Sequence, residues 1–173
     1  MSVSVLVGLW LAAVSSAAPT AVEVIPPYKT EKAWTFFRNQ GNCTAGAAQP
    51  AGSEILMMAY DAERKAFSIS FTNSRATDLK DGDQRTMDIR LHRPGGVLDD
   101  GWEGVGFAVF IMPDGRAMFV SQLMDIPAVR DFGEMEAVVF IDRGKTAGSF
   151  HMRDPKFAVK ELIRCALEAR IKA

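Results

Sequence analysis

The stretch Asp154 to Lys172, DPKFAVKELIRCALEARIK, reads as a closing amphipathic helix. Asp154 is a good N-cap, and Pro155 falls at the first helical position, where a missing N–H costs no intrahelical bond. Ala158, Val159, Leu162, Ile163, Ala166 and Leu167 recur at three- and four-residue spacing, while Lys156, Lys160, Arg164 and Glu168 fall elsewhere. The spacing places Cys165 at the edge of the apolar face, turned toward whatever the helix covers. Its one possible partner is Cys43.

Upstream of that helix the pattern is one of short strands and turns. Phe67, Ile69 and Phe71 alternate with Ser68, Ser70 and Thr72, as do Met87, Ile89 and Leu91 with Asp88, Arg90 and His92, the mark of half-buried antiparallel strands. Further strands are expected at Ala33 to Phe37, Glu54 to Tyr60, Gly104 to Met112, Arg116 to Ser121, Glu136 to Ile141 and Thr146 to Met152. The strand from Gly104 is apolar on both sides, so it could be covered on both faces. Pro113-Asp114-Gly115 has strong turn chemistry, because Pro presets one φ and Gly accepts a positive one. Gln122 to Phe132, with Leu123, Ile126, Val129 and Phe132 at spacing three, suits a short helix with Pro127 in its first turn. Asn39 to Gly52, rich in Gly, Ala and Asn, reads as a polar loop carrying Cys43, and Asn73 to Arg85 as a second. The expected fold is mainly β (α+β): an antiparallel β sandwich or open barrel of about eight short strands, with a C-terminal amphipathic helix.

The chain of 173 residues is 48% hydrophobic and 24% charged with a net charge of −1, the profile of one ordinary globular domain. Met1 to Ala17 is apolar and uncharged and ends in small residues, with Ser15 and Ala17 at the −3 and −1 positions of a signal-peptide cleavage site. Met1 to Ser4 lacks the usual Lys or Arg, and an uncleaved anchor is the alternative. The apolar run is short, though, against the roughly 20 residues of a membrane span. Residues 1–17 are therefore read as a signal peptide, 18–33 as an extended lead-in with Pro19, Pro26 and Pro27, and 34–173 as one globular domain, periplasmic or secreted. No stable membrane span is expected once the leader is removed. In an exported chain Cys43 and Cys165 are most simply read as one disulfide. Two free buried thiols are the other reading.

Catalytic motifs are absent from the sequence: there is no GxSxG, HExxH, CxxC or phosphate loop, and Gly101, Gly104 and Gly106 are in the wrong order for a dinucleotide turn. Two histidines cannot build a His-rich zinc site. Asp78, Asp81 and Asp83 suggest a calcium loop until Gly82 is set at its sixth position, which puts Thr77 and Leu79 where ligands belong. Asp99, Asp100 and Glu103 form another acidic patch. Asp88, Arg90 and His92 share one strand face and are the candidate polar site, a carboxylate and an imidazole being the parts of a base and its orienter. A solvated sheet face is the favoured reading of them, since no nucleophile motif accompanies the pair. No metal, cofactor or catalytic residue is expected. The basic excess of the closing helix is too mild to imply nucleic acid.

An exported leader, aromatic Trp34 ahead of the first cysteine, short strands with Gly-containing turns, and the closing Phe157…Leu162…Cys165 together resemble a group of small secreted alphaproteobacterial proteins of unassigned function. That group is itself similar to the invasion-associated locus B family of periplasmic or surface proteins. The resemblance spans most of the mature chain and implies a non-enzymatic envelope role with no catalytic residue to carry over. The chain departs from the locus B pattern in having one cysteine pair and a longer, more charged final helix. Expected, then, is a non-enzymatic exported envelope protein binding another protein, a cell-wall component or a small ligand. The alternative is an envelope hydrolase using His92 and Asp88.

Overall fold

A computed structural model describes residues 26–39, 42–48, 54–73, 78–95, 98–122 and 124–171; the expected leader, 1–17, lies outside them. Among these residues ten strands and two helices follow in order: β1 (Lys29–Glu31), β2 (Trp34–Asn39), β3 (Asn42–Ala48), β4 (Ile55–Asp61), β5 (Ala66–Asn73), β6 (Gln84–His92), β7 (Leu98–Ile111), β8 (Ala117–Ser121), α1 (Ile126–Glu134), β9 (Ala137–Asp142), β10 (Lys145–His151) and α2 (Pro155–Ile171). All strand pairs are antiparallel, and they make one open sheet in the order β1-β2-β3-β4-β5-β8-β7-β6-β9-β10. The mainly β architecture with a closing helix is thus as expected. The described strands number ten rather than about eight, and they form a single sheet rather than the two of a sandwich.

The extra strands have physical causes. β3 falls within the expected polar loop, because its residues, NCTAGAA, have little strand propensity. Their small size is the point: Cys43, Ala45 and Ala47 lie in the core, where α2 packs against β3 and is joined to it through Cys165. β1, inside the expected lead-in, adds to the edge of β2 through pairs such as Thr30 with Thr35. β7 begins six residues earlier than the alternation suggests, because two bulges break the period of two. Met87, Ile89 and Leu91 of β6 oppose Val105, Trp102 and Asp99, so β7 advances three residues for every two. Gly104 takes φ +67°, and Gly101 comes so close that a Cβ would lie 1.7 Å from the Ile89 carbonyl oxygen.

The sheet curls around an aromatic core. Phe71 of β5 stacks on Phe140 of β9 at 4.1 Å and on Phe119 of β8 at 4.9 Å, and meets Phe150 of β10 at 5.7 Å although β5 and β10 are not neighbours in the sheet. Asn73 Nδ2 donates to the Ala147 carbonyl at 2.6 Å across the same gap. α1 closes the other end, with Phe132 5.3 Å from both Phe67 and Trp102. Its start is later than the expected Gln122, because Met124 and Phe67 exchange two backbone hydrogen bonds and prolong the β5 edge. Ile55, Met57, Met112 and Met118 form a second small cluster apart from the main core, with Phe110 and Val120 partly buried against it, so the far face of the β7–β8 hairpin is only half-covered.

Cys43 and Cys165 form a disulfide with Cα atoms 5.9 Å apart, closing 122 residues. Chain-entropy reasoning gives such a loop about 4 to 5 kcal/mol, an upper figure for most measured bridges. Cys165 is wholly buried in the middle of the α2 contact face rather than at its edge, whereas Leu167 is 47% exposed. The face is rotated because Glu161 is tolerated inside it: Arg164 forks onto its carboxylate and Lys29 Nζ lies 3.4 Å away. Asp154 has φ +50°, a left-handed conformation rather than the extended one of a usual N-cap. Its carbonyl accepts from Ala158 N–H at 3.1 Å, and its carboxylate pairs with Lys32 at 3.1 Å. Trp34 Nε1 donates to the Arg153 carbonyl at 2.6 Å and fixes the start of α2.

Candidate functional site

The polar stripe predicted on β6 lies on the side of the strand away from the core, half-buried at each position. Asp88 Oδ1 accepts from the Gly104 N–H at 3.0 Å, and Arg90 Nη2 donates to Glu103 Oε1 at 2.9 Å while lying 3.8 Å from Asp88. These bonds hold the bulged part of β7 against β6. His92 stands four residues beyond Asp88, about 13 Å along an extended strand, too far for direct contact. The Asp81 and Asp83 carboxylates are likewise turned to backbone: Asp81 Oδ1 accepts from Ile111 N–H and Asp83 Oδ2 from Lys80 N–H, both at 3.0 Å. Among the described residues no three His, Cys, Asp or Glu side chains converge as metal ligands.

A different constellation emerges where the curled sheet leaves a gap. The end of β5, the start of β6, the β9–β10 turn and residues 78 and 79 enclose a cleft of about 270 Å³ floored by Phe119, Leu79 and Ala147. Each wall is placed by a local rule. Arg143 and Gly144 are the two central residues of the β9–β10 hairpin, with φ +50° and +76°, as a two-residue turn of the I′ kind requires. A bulge between Thr146 and Gly148 then brings β10 over β5, where a Cβ on Gly148 would meet the Phe71 ring at 3.0 Å. Arg85 stands in the same inward register as Met87, Ile89 and Leu91. It is the one charged side chain in that row.

The charges around the cleft are unevenly matched. Arg143 lies 3.7 Å from Asp142. Arg85, Lys145 and Asp78 have no hydrogen bond or ion pair among the described residues, although all three line the cleft. Two free cations over an apolar floor are equipped to hold a small ligand by charge and contact. Sequence reasoning missed this cleft because its walls come from four separate segments. One signal was available: continuing the β6 alternation a step back from Met87 puts Arg85 on the core face.

No protein-family model, curated protein or solved structure matches the chain. No helix among the described residues is long and apolar enough to cross a membrane.

Proposed function

We propose that this is a non-enzymatic exported envelope protein, periplasmic or secreted, which binds a small ligand in the cleft between Arg85 and the β9–β10 turn. The observation that carries the reading is the inward-facing Arg85, unpaired among the described residues, beside the apolar floor of Phe119 and Leu79. The Cys43–Cys165 disulfide supports an oxidising compartment. The resemblance to the small secreted proteins allied to the invasion-associated locus B family points the same way. An envelope hydrolase built on Asp88 and His92 has less support, since the Asp88 carboxylate is engaged by Gly104 N–H and stands well away from His92 along the strand.

The test is mass spectrometry of the chain exported from a bacterial host, native and denatured, with and without reduction and alkylation. The expected result is a mass lacking the first 17 or so residues, thiols that alkylate only after reduction, and a native species heavier than the denatured one by a small ligand. A full-length chain with freely alkylated thiols would overturn the export reading. A native mass equal to the denatured mass after purification in volatile buffer, with no gain on adding periplasmic extract, would overturn the binding reading.

A further inference from the structure

We infer that the cleft selects small organic monoanions, with a carboxylate head held by Arg85 and Lys145 and a short apolar body laid on Phe119 and Leu79. This rests on the cleft being a binding site and adds the ligand's chemistry. The first support is a contrast among the arginines. Arg38, Arg90, Arg116 and Arg164 each lie within 3.0 Å of a carboxylate, whereas Arg85, half-buried at the end of a core row, has no such neighbour among the described residues. A guanidinium partly withdrawn from water and left unpaired is costly, and an entering carboxylate restores the lost interactions through charge-assisted, bidentate hydrogen bonds.

Shape and charge narrow the class. A volume of about 270 Å³ falls just below the usual range for small-molecule pockets, about 300–1,000 Å³, so the body must be short. Leu79 and Ala147 are half-buried at the cleft with Phe119 closing beneath them, an apolar part that can take a short hydrocarbon body beside the charged rim. Asp78 and Asp142 also line the cleft and repel a second negative charge, which favours a monoanion over sulfate or a phosphate dianion. Finally, the turn beside the cleft carries strain: Arg143 occupies a left-handed position where Asn or Gly is ordinarily found. Strain of this kind tends to gather at ligand sites.

The experiment is an NMR titration of the oxidised mature chain with hexanoate, benzoate, 1-hexanol and inorganic sulfate. Expected is saturable binding of both carboxylates that shifts the amides of Arg85, Lys145 and Thr146, with 1-hexanol and sulfate at least tenfold weaker. Arg85→Gln should weaken hexanoate at least tenfold and Lys145→Gln about threefold. Because Lys145 is exposed, its variant remains informative if Arg85→Gln fails to fold. Hexanol binding as well as hexanoate would overturn the anion preference and leave the binding reading intact. Sulfate binding more tightly than either carboxylate, or carboxylate shifts confined to other surfaces, would overturn the inference. Failure of every probe to bind would also overturn it, while the native-mass measurement would still decide whether the protein holds a ligand at all.

Discussion

The two ends of the sheet are built on opposite plans. Under α2, β3 presents small side chains between the larger ones of β2 and β4, and the helix is tied to the sheet by the disulfide, by Trp34 to the Arg153 carbonyl, by Arg38 to Glu168 at 2.8 Å, and by Lys29 to Glu161. At the other end β5 to β10 are packed by large aromatics, bent by glycine bulges, and leave Arg85 and Lys145 without partners among the described residues. Among the described residues the one buried side-chain polar atom without a hydrogen bond, Arg38 Nε, belongs to a guanidinium already tied to Glu168 in the helix half, whereas Arg85 and Lys145 have no ion pair or hydrogen bond at all. On the binding reading proposed above, that difference sets the half tied to its helix apart from the half that would take a ligand.

Removing the covalent tie is the strongest way to break the contrast. Cys165→Ser should lower stability by about 2–5 kcal/mol under oxidising conditions, and hardly at all when the reference protein is itself reduced. Urea unfolding of both proteins with and without a reductant reads this directly. Equal midpoints in all four samples would show that the helix half is held without its bridge. At the cleft half the corresponding blow is Gly101→Ala. A methyl group 1.7 Å from the Ile89 carbonyl oxygen cannot be absorbed by a side-chain rotation, so the bulge itself must open. A loss of about 3 kcal/mol, the top of the usual overpacking range, is expected by urea unfolding. A near-neutral effect would mean that the bulge is not what aligns Trp102 with Phe132.

Acid should weaken the helix half. The Arg164 hydrogen bonds hold the Glu161 carboxyl below its ordinary range, with a smaller contribution from Lys29, and outweigh the opposing effect of burial. Because the folded value is depressed, the stabilisation is complete above the unfolded carboxylate value of about 4.3 and disappears as pH falls from there through the folded value. Melting curves of wild type and Glu161→Gln should accordingly differ most near neutrality and converge below pH 4. A gap that stays constant with pH would assign the effect to packing instead.

These regions also differ in how far the sequence discloses them. Period-two alternation revealed β5 and β6, the 3.6-residue period revealed α2, and Pro113-Asp114-Gly115 revealed a turn in which Gly115 N–H bonds the Met112 carbonyl at 2.8 Å. The cysteine count and the export reading together led to Cys43–Cys165. β3 stayed hidden because alanine and glycine advertise no strand, their value lying only in how closely a helix can approach them. β7 was truncated because each bulge resets the alternation. The cleft was least legible of all, since its walls meet only after the sheet has curled, and the stripe of Asp88, Arg90 and His92 drew attention to the face that braces the bulges.

The smallest expected effect is the one that bears most directly on the contrast. Arg143 at φ +50° holds a conformation that costs a bulky L-residue about 1–2 kcal/mol relative to glycine, and asparagine tolerates it better. If the cleft half trades stability for a site, Arg143→Asn should stabilise the fold by about 0.5–1 kcal/mol in urea unfolding, discounted because the turn is exposed. It should also weaken hexanoate binding modestly, because one of three cations around the cleft is removed while Arg85 and Lys145 remain. Stability gained with affinity unchanged would make the strained arginine incidental to the ligand. Stability lost would show that the turn is held in its left-handed geometry by Arg143's own contacts, such as the one to Asp142, and that the cleft half is less strained than its dihedral angles suggest.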